Sequence, residues 1–150
     1  MRNLFRALLF APVLAFSQKD NDNIFSNAGD AAKLLLAKQK LYGGETTAAL
    51  NDFRELQKSN PDNAVPAYYV GYCYYLQKDR EKALENLLRA ENIGKNVNPD
   101  TYLLLGKIYQ ADENFSKARE EFNKVLNDKK AEDNSLQEAG VLLSQCDNAE

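Results

Sequence analysis

Histidine and tryptophan are both absent from the 150 residues. Without histidine the chain has no imidazole acid or base, no Ser-His triad and no imidazole metal ligand. Proline and glycine are scarce, at four and seven, and the plentiful Ala, Leu, Lys, Glu, Asn and Gln favour helix over strand. Basic residues are in the minority, 19 against 22 acidic, so no positive field is present to draw nucleic acid. No apolar run approaches the roughly 20 residues that a bilayer-spanning helix needs. The carboxylates are scattered, and no acid, base and nucleophile converge as an enzyme would require. Asp20 to Asn23, "DNDN", imitates the start of a calcium loop, but Phe25 and Ala31 stand where its glycine and final glutamate belong. Neither a cofactor nor a metal site is expected. At this length one domain with a workable core is the expectation.

The first 17 residues read as a targeting signal. Arg2 and Arg6 form a positive start, residues 7 to 16 are an apolar run broken by Pro12, and Ala15 and Ser17 have the spacing of a cleavage site before Gln18. No cysteine follows the run, so no lipid anchor of the bacterial lipoprotein kind is expected. The mature chain, from residue 18, would carry 17 basic and 22 acidic residues, and would be exported and soluble in the periplasm or outside the cell. Residues 18 to 29 are a polar lead-in.

Self-comparison reveals a period. Three segments share a small residue, then an aromatic or Leu four later, then an apolar or small residue three further on: Ala49/Phe53/Leu56, Ala83/Leu87/Ala90 and Ala118/Phe122/Val125. The alanines are 34 and 35 residues apart. Upstream, Gly71/Tyr74 and Gly106/Tyr109 repeat at 35, and one further step of 34 reaches Gly140. This pattern resembles the tetratricopeptide repeat (TPR), a pair of antiparallel helices of about 34 residues that stacks into an all-α solenoid. The resemblance implies repeats at about 30–63, 64–98 and 99–132, then a capping helix over 134–146. Leu36, Ala37, Val70, Gly71, Leu105 and Gly106 fall on packing positions. Departures concentrate in the first repeat, where Lys33, Ala37 and Lys40 replace the large residue, glycine and tyrosine of the pattern. Asn98-Pro99, Gly94 and Gly43-Gly44 mark helix boundaries, and Ser135 with Glu138 reads as a capping box for the last helix.

Five of the eight tyrosines lie in residues 68 to 76, "YYVGYCYYL". On a helical wheel Ala67, Val70, Gly71 and Tyr74 share one side, the packing side, while Tyr68, Tyr72 and Tyr75 form a stripe opposite, flanked by Tyr69 and Leu76. The resemblance places the first helix of each repeat on a concave surface. Its rows would be Leu34, Tyr68 and Leu103; Lys38, Tyr72 and Lys107, with Val141; and Leu41, Tyr75 and Gln110. Together with Tyr69 these residues form a tyrosine-centred trough suited to a protein or peptide segment, with the lysines favouring acidic groups. Tyr68 and Tyr75 also stand at positions where such repeats use tyrosine for packing, so both readings remain open there. Cys73 and Cys146 lie two repeats apart, too far for a disulfide.

The implied function is an exported, non-catalytic scaffold that binds a protein segment in its groove, with a cell-envelope assembly as one setting. The other reading is a glycan binder that stacks sugars on the tyrosines, which the lack of tryptophan weakens.

Overall fold

A computed structural model describes Phe25 and residues 27 to 149, all helices and connecting turns. The expected targeting signal over residues 1 to 17 and most of the expected lead-in lie outside these residues. Seven helices follow one another: α1 (Ala28–Tyr42), α2 (Thr46–Ser59), α3 (Ala64–Leu76), α4 (Arg80–Ile93), α5 (Asp100–Ala111), α6 (Phe115–Asn127) and α7 (Asp133–Asn148). The pairs α1/α2, α3/α4 and α5/α6 pack as hairpins, and each second helix also contacts the first helix of the next pair. The sequence period becomes a spatial one: equivalent residues meet equivalent surroundings in successive layers.

Each hairpin turn is built alike. Gly44, Lys78 and Glu113, spaced 34 and 35 apart, all adopt positive φ (88°, 62° and 58°). That left-handed step lets the next amide reach back to close the turn. Glu45 N donates to Lys40 O at 2.9 Å, Asp79 N to Tyr74 O at 3.0 Å and Asn114 N to Tyr109 O at 2.8 Å. Asp79 Oδ1 and Asn114 Oδ1 then cap α4 and α6 by accepting from the backbones of Lys82 and Lys117. Between repeats two and three, Gly94 ends α4 at φ 69°, and Asn98 Oδ1 accepts from Asp100 N at 2.9 Å to start α5.

The layers close through residues without freedom to grow. A Cβ on Gly71 would lie 2.8 Å from Leu87 Cγ and 3.1 Å from its backbone nitrogen; one on Gly106 would lie 2.6 Å from Phe122 Cδ1. Phe53, Leu87 and Phe122, the matched large residues of the second helices, are fully buried. At Gly140 an added Cβ meets nothing within 4 Å, because no second helix follows α7 among the described residues.

Three expectations need correction. Leu36 stands on a packing position yet is 56% exposed, whereas its equivalents Val70 and Leu105 are 1% and 0% exposed. Among the described residues no helix precedes α1 to cover it. Ser135 does not open the last helix: α7 starts after Glu132 with no side-chain cap, and Ser135 Oγ donates to Asp100 Oδ1 at 2.6 Å, tying α7 to α5. Tyr74, read as core, is half-buried, with Lys82 Nζ 5.4 Å from its ring centroid. Cys73 and Cys146 are separate, buried free thiols, and burial pushes the Cys73 thiol up to about 12.

Candidate binding groove

The face shared by α1, α3, α5 and α7 carries the residues singled out from sequence, but they do not lie at one depth. Tyr68 and Tyr69 are each 6% exposed, and Leu41 and Leu103 each 5%. The expected stripe of open tyrosines is therefore only partly open, because neighbouring layers reach over its base. Tyr69 stacks on Phe53 of α2, with ring centroids 4.7 Å apart and planes at 13°, while Lys38 Nζ stands 5.3 Å from the same ring's centroid. An aromatic that both stacks on a neighbouring ring and attracts an ammonium group is restrained by each contact. Tyr68 meets Tyr69 edge-on at 4.9 Å and shares a buried cluster with Leu104 of α5. Desolvation first, then the Asp100 carboxylate, hold its hydroxyl well above the usual tyrosine range.

On this rigid base stand the accessible residues. Tyr72 is half-buried and lies parallel to Tyr68, at 6.1 Å and 7°. Tyr75 and Leu34 are likewise half-buried and pack against the core from outside. Lys107 forms an ion pair with Glu138 of α7 at 2.6 Å, which spends its charge within the chain. Gln110 Nε2 donates to Gln145 Oε1 at 3.5 Å, joining the same two helices.

The rows read from the sequence leave out Tyr42 and Leu76, which the structure leaves 64% and 45% exposed. Both close their helix one residue beyond the rows read off the pattern. Reading that next position would have found them. Although the Tyr42 ring is open, desolvation and then the neighbouring Tyr69 push its hydroxyl up to about 12. Val141, on the same row as Tyr72, is 59% exposed. The accessible apolar surface of this face thus includes exposed Tyr42, Leu76 and Val141 and half-buried Tyr72, Tyr75 and Leu34, with Lys38 beside Tyr69.

The arrangement can offer rigid aromatic contacts and a few polar groups to a ligand. Among the described residues no group of three metal-ligating side chains comes together, and no helix is long and apolar enough to cross a membrane.

The architecture is that of TPR domains, an all-α solenoid of stacked hairpins. The TPR domain of P58(IPK) superposes with a TM-score of 0.75 at 23% identity, over 81% of this chain and 33% of that one. The chain thus spans about a third of that structure's length. The Sgt2 TPR domain from Aspergillus fumigatus gives 0.69 at 13% identity, over 85% of each chain. MamA protein gives 0.63 at 21% identity, over 79% of this chain and 68% of that one. No protein-family model and no curated protein matches the chain in sequence.

Proposed function

We propose that this protein is a non-catalytic scaffold, exported from the cell, that holds a segment of a partner protein against the first-helix face, within a cell-envelope assembly. The observation that carries the reading is the band Tyr42, Tyr72, Tyr75 and Leu76, accessible rings and a leucine mounted on buried Tyr68 and Tyr69. Rigid aromatics supply contact area at small entropic cost, which is why tyrosine is enriched among the residues that dominate binding energy. Nucleic acid is not an expected partner for so acidic a chain.

Tyr72→Ala tests this directly. Capture of an envelope protein by the immobilised chain should fall about tenfold or more, the loss of a contact worth about 1.4 kcal/mol. Arg54→Ala, on the exposed part of α2, should leave capture unchanged. The glycan alternative expects the tyrosine variant to lose retention on a polysaccharide gel instead. If neither property moves while the circular dichroism stays native, Tyr72 serves packing and the reading fails.

A further inference from the structure

The outer side of α1 breaks the rule that the other first helices obey. At matched positions Val70 and Leu105 are 1% and 0% exposed, and Tyr69 and Leu104 are each 6% exposed. Their counterparts on α1, Leu36 and Leu35, are 56% and 59% exposed. At about 100° per residue, Ala28, Gly29, Ala32, Leu35, Leu36 and Gln39 fall within an arc of roughly 120°. All six are exposed and none is charged, in a chain of which 27% of residues are charged.

The charged residues of α1 face elsewhere and are engaged. Asp30 accepts hydrogen bonds from Asn27 and Asn60, Lys33 pairs with Glu55, Lys40 pairs with Asp52 at 2.6 Å, and Lys38 stands over Tyr69. What remains is a neutral strip with two leucines at its centre, small residues towards one end and Gln39 towards the other.

We infer that a second copy of this chain covers the strip, with two α1 helices packed antiparallel about a two-fold axis near Leu35 and Leu36. Three features select this occupant. A two-fold contact needs one patch to complement itself. Here the central leucines of one copy meet those of the other, while Ala28, Gly29 and Ala32 leave room beside Gln39. The bordering lysines, Lys33 and Lys40, already carry their carboxylates, so pairing brings no uncompensated like charges together. The inference rests on the proposed export, which removes residues 1 to 17; the lead-in that then remains offers little cover, since Phe25 is already committed to the core at 8% exposure and residues 18 to 24, "QKDNDNI", hold a single apolar side chain.

The strip is small. A 15-residue helix is about 22 Å long, and one helix face per copy falls short of the roughly 1,600 Å² of a standard interface. The pairing is accordingly weak and reversible, with a dissociation constant on the order of 100 µM.

Sedimentation velocity on the exported chain, beginning at Gln18, from about 10 µM to about 1 mM, brackets that value. The mass should rise towards twofold across the series. L35K and L36K should each hold the protein at monomer mass with unchanged circular dichroism, whereas Y72A should leave the pairing intact. Under mild oxidation L36C should run as a covalent dimer, since both native thiols are buried. A monomer at every concentration overturns the inference. So does a dimer indifferent to both lysine variants, or crosslinking that joins position 36 of L36C to residues 18 to 24 of its own chain.

Discussion

Phe122→Ala should destabilise the fold by about 3–5 kcal/mol, a large share of the 5–15 kcal/mol that holds a typical domain together. The ring is fully buried and belongs to the cluster of Leu103, Ala118, Val125, Ala139 and Cys146, where α5, α6 and α7 meet. It fills the space over Gly106. Because Gly106 has no side chain to relax into the hole, most of the cavity should persist, which places the loss at the upper part of the range. Urea unfolding followed by circular dichroism measures it. A cost under about 1 kcal/mol would mean that the ring is not the filler of this layer.

The second large effect is expected from Lys124→Met. Lys124 Nζ lies 2.6 Å from Glu91, 2.9 Å from Glu121 and 3.3 Å from Glu120, and 5.8 Å from the centroid of the Tyr102 ring. It thereby joins α4, α5 and α6. Desolvation opposes its charge, but the hydrogen bonds to Glu91 and Glu121 outweigh that and hold it above the ordinary lysine value. Glu121 is 5% exposed, and its Oε2 has no hydrogen-bond partner within the protein. Removing the ammonium leaves that carboxylate buried and uncompensated. The expected cost at neutral pH is about 3 kcal/mol, the lower end for a broken buried pair, because Lys124 is itself 33% exposed.

The pH dependence gives this prediction its signature. Burial raises the Glu121 pKa, and the hydrogen bond from Lys124 opposes the rise. Folded Glu121 therefore holds its proton to higher pH than the unfolded chain does. A group of that kind adds stability below its unfolded pKa and loses it as pH rises through the folded value. Without Lys124 the rise grows, so the deficit of the variant should be smaller near pH 5 than at pH 8. Adding Glu121→Gln should recover about half of it by removing the buried charge. A deficit equal at both pH values would show that Glu121 is not its source.

What could be read from sequence, and what could not, follows from how a repeat works. Ala49, Gly71, Phe122 and their equivalents announce themselves because each hairpin makes the same contact, so residues 34 or 35 apart are selected alike. The period is silent about ends. Leu36 carries the packing pattern without a neighbour to pack on, and Gly140 has the small residue without the ring above it. A wheel drawn for α3 alone is similarly limited. It separates the side facing α4 from the rest, and so finds Val70 and Gly71, but it cannot show how far α2 and α5 reach. Tyr69 is covered by Phe53 and Tyr68 shares its cluster with Leu104, contacts across layers that only the stacking angle fixes. The open part of this face consequently consists of Tyr72 and Tyr75 from the expected stripe together with Tyr42 and Leu76 at the helix ends. Ser135 misled for a related reason: its local spacing fitted a cap, while its hydroxyl was used to hold Asp100 of the neighbouring helix.

The equivalence of layers on which the proposed groove depends is tested most directly by thermal unfolding of three glycine variants in parallel. Gly71→Ala and Gly106→Ala each force a methyl group into Leu87 or Phe122 and should lose about 1–3 kcal/mol. Gly140→Ala enters open space on a helix and should hold or gain up to about 1 kcal/mol. Equal losses at all three positions, or tolerance at Gly106, would contradict the stacking of hairpins in register.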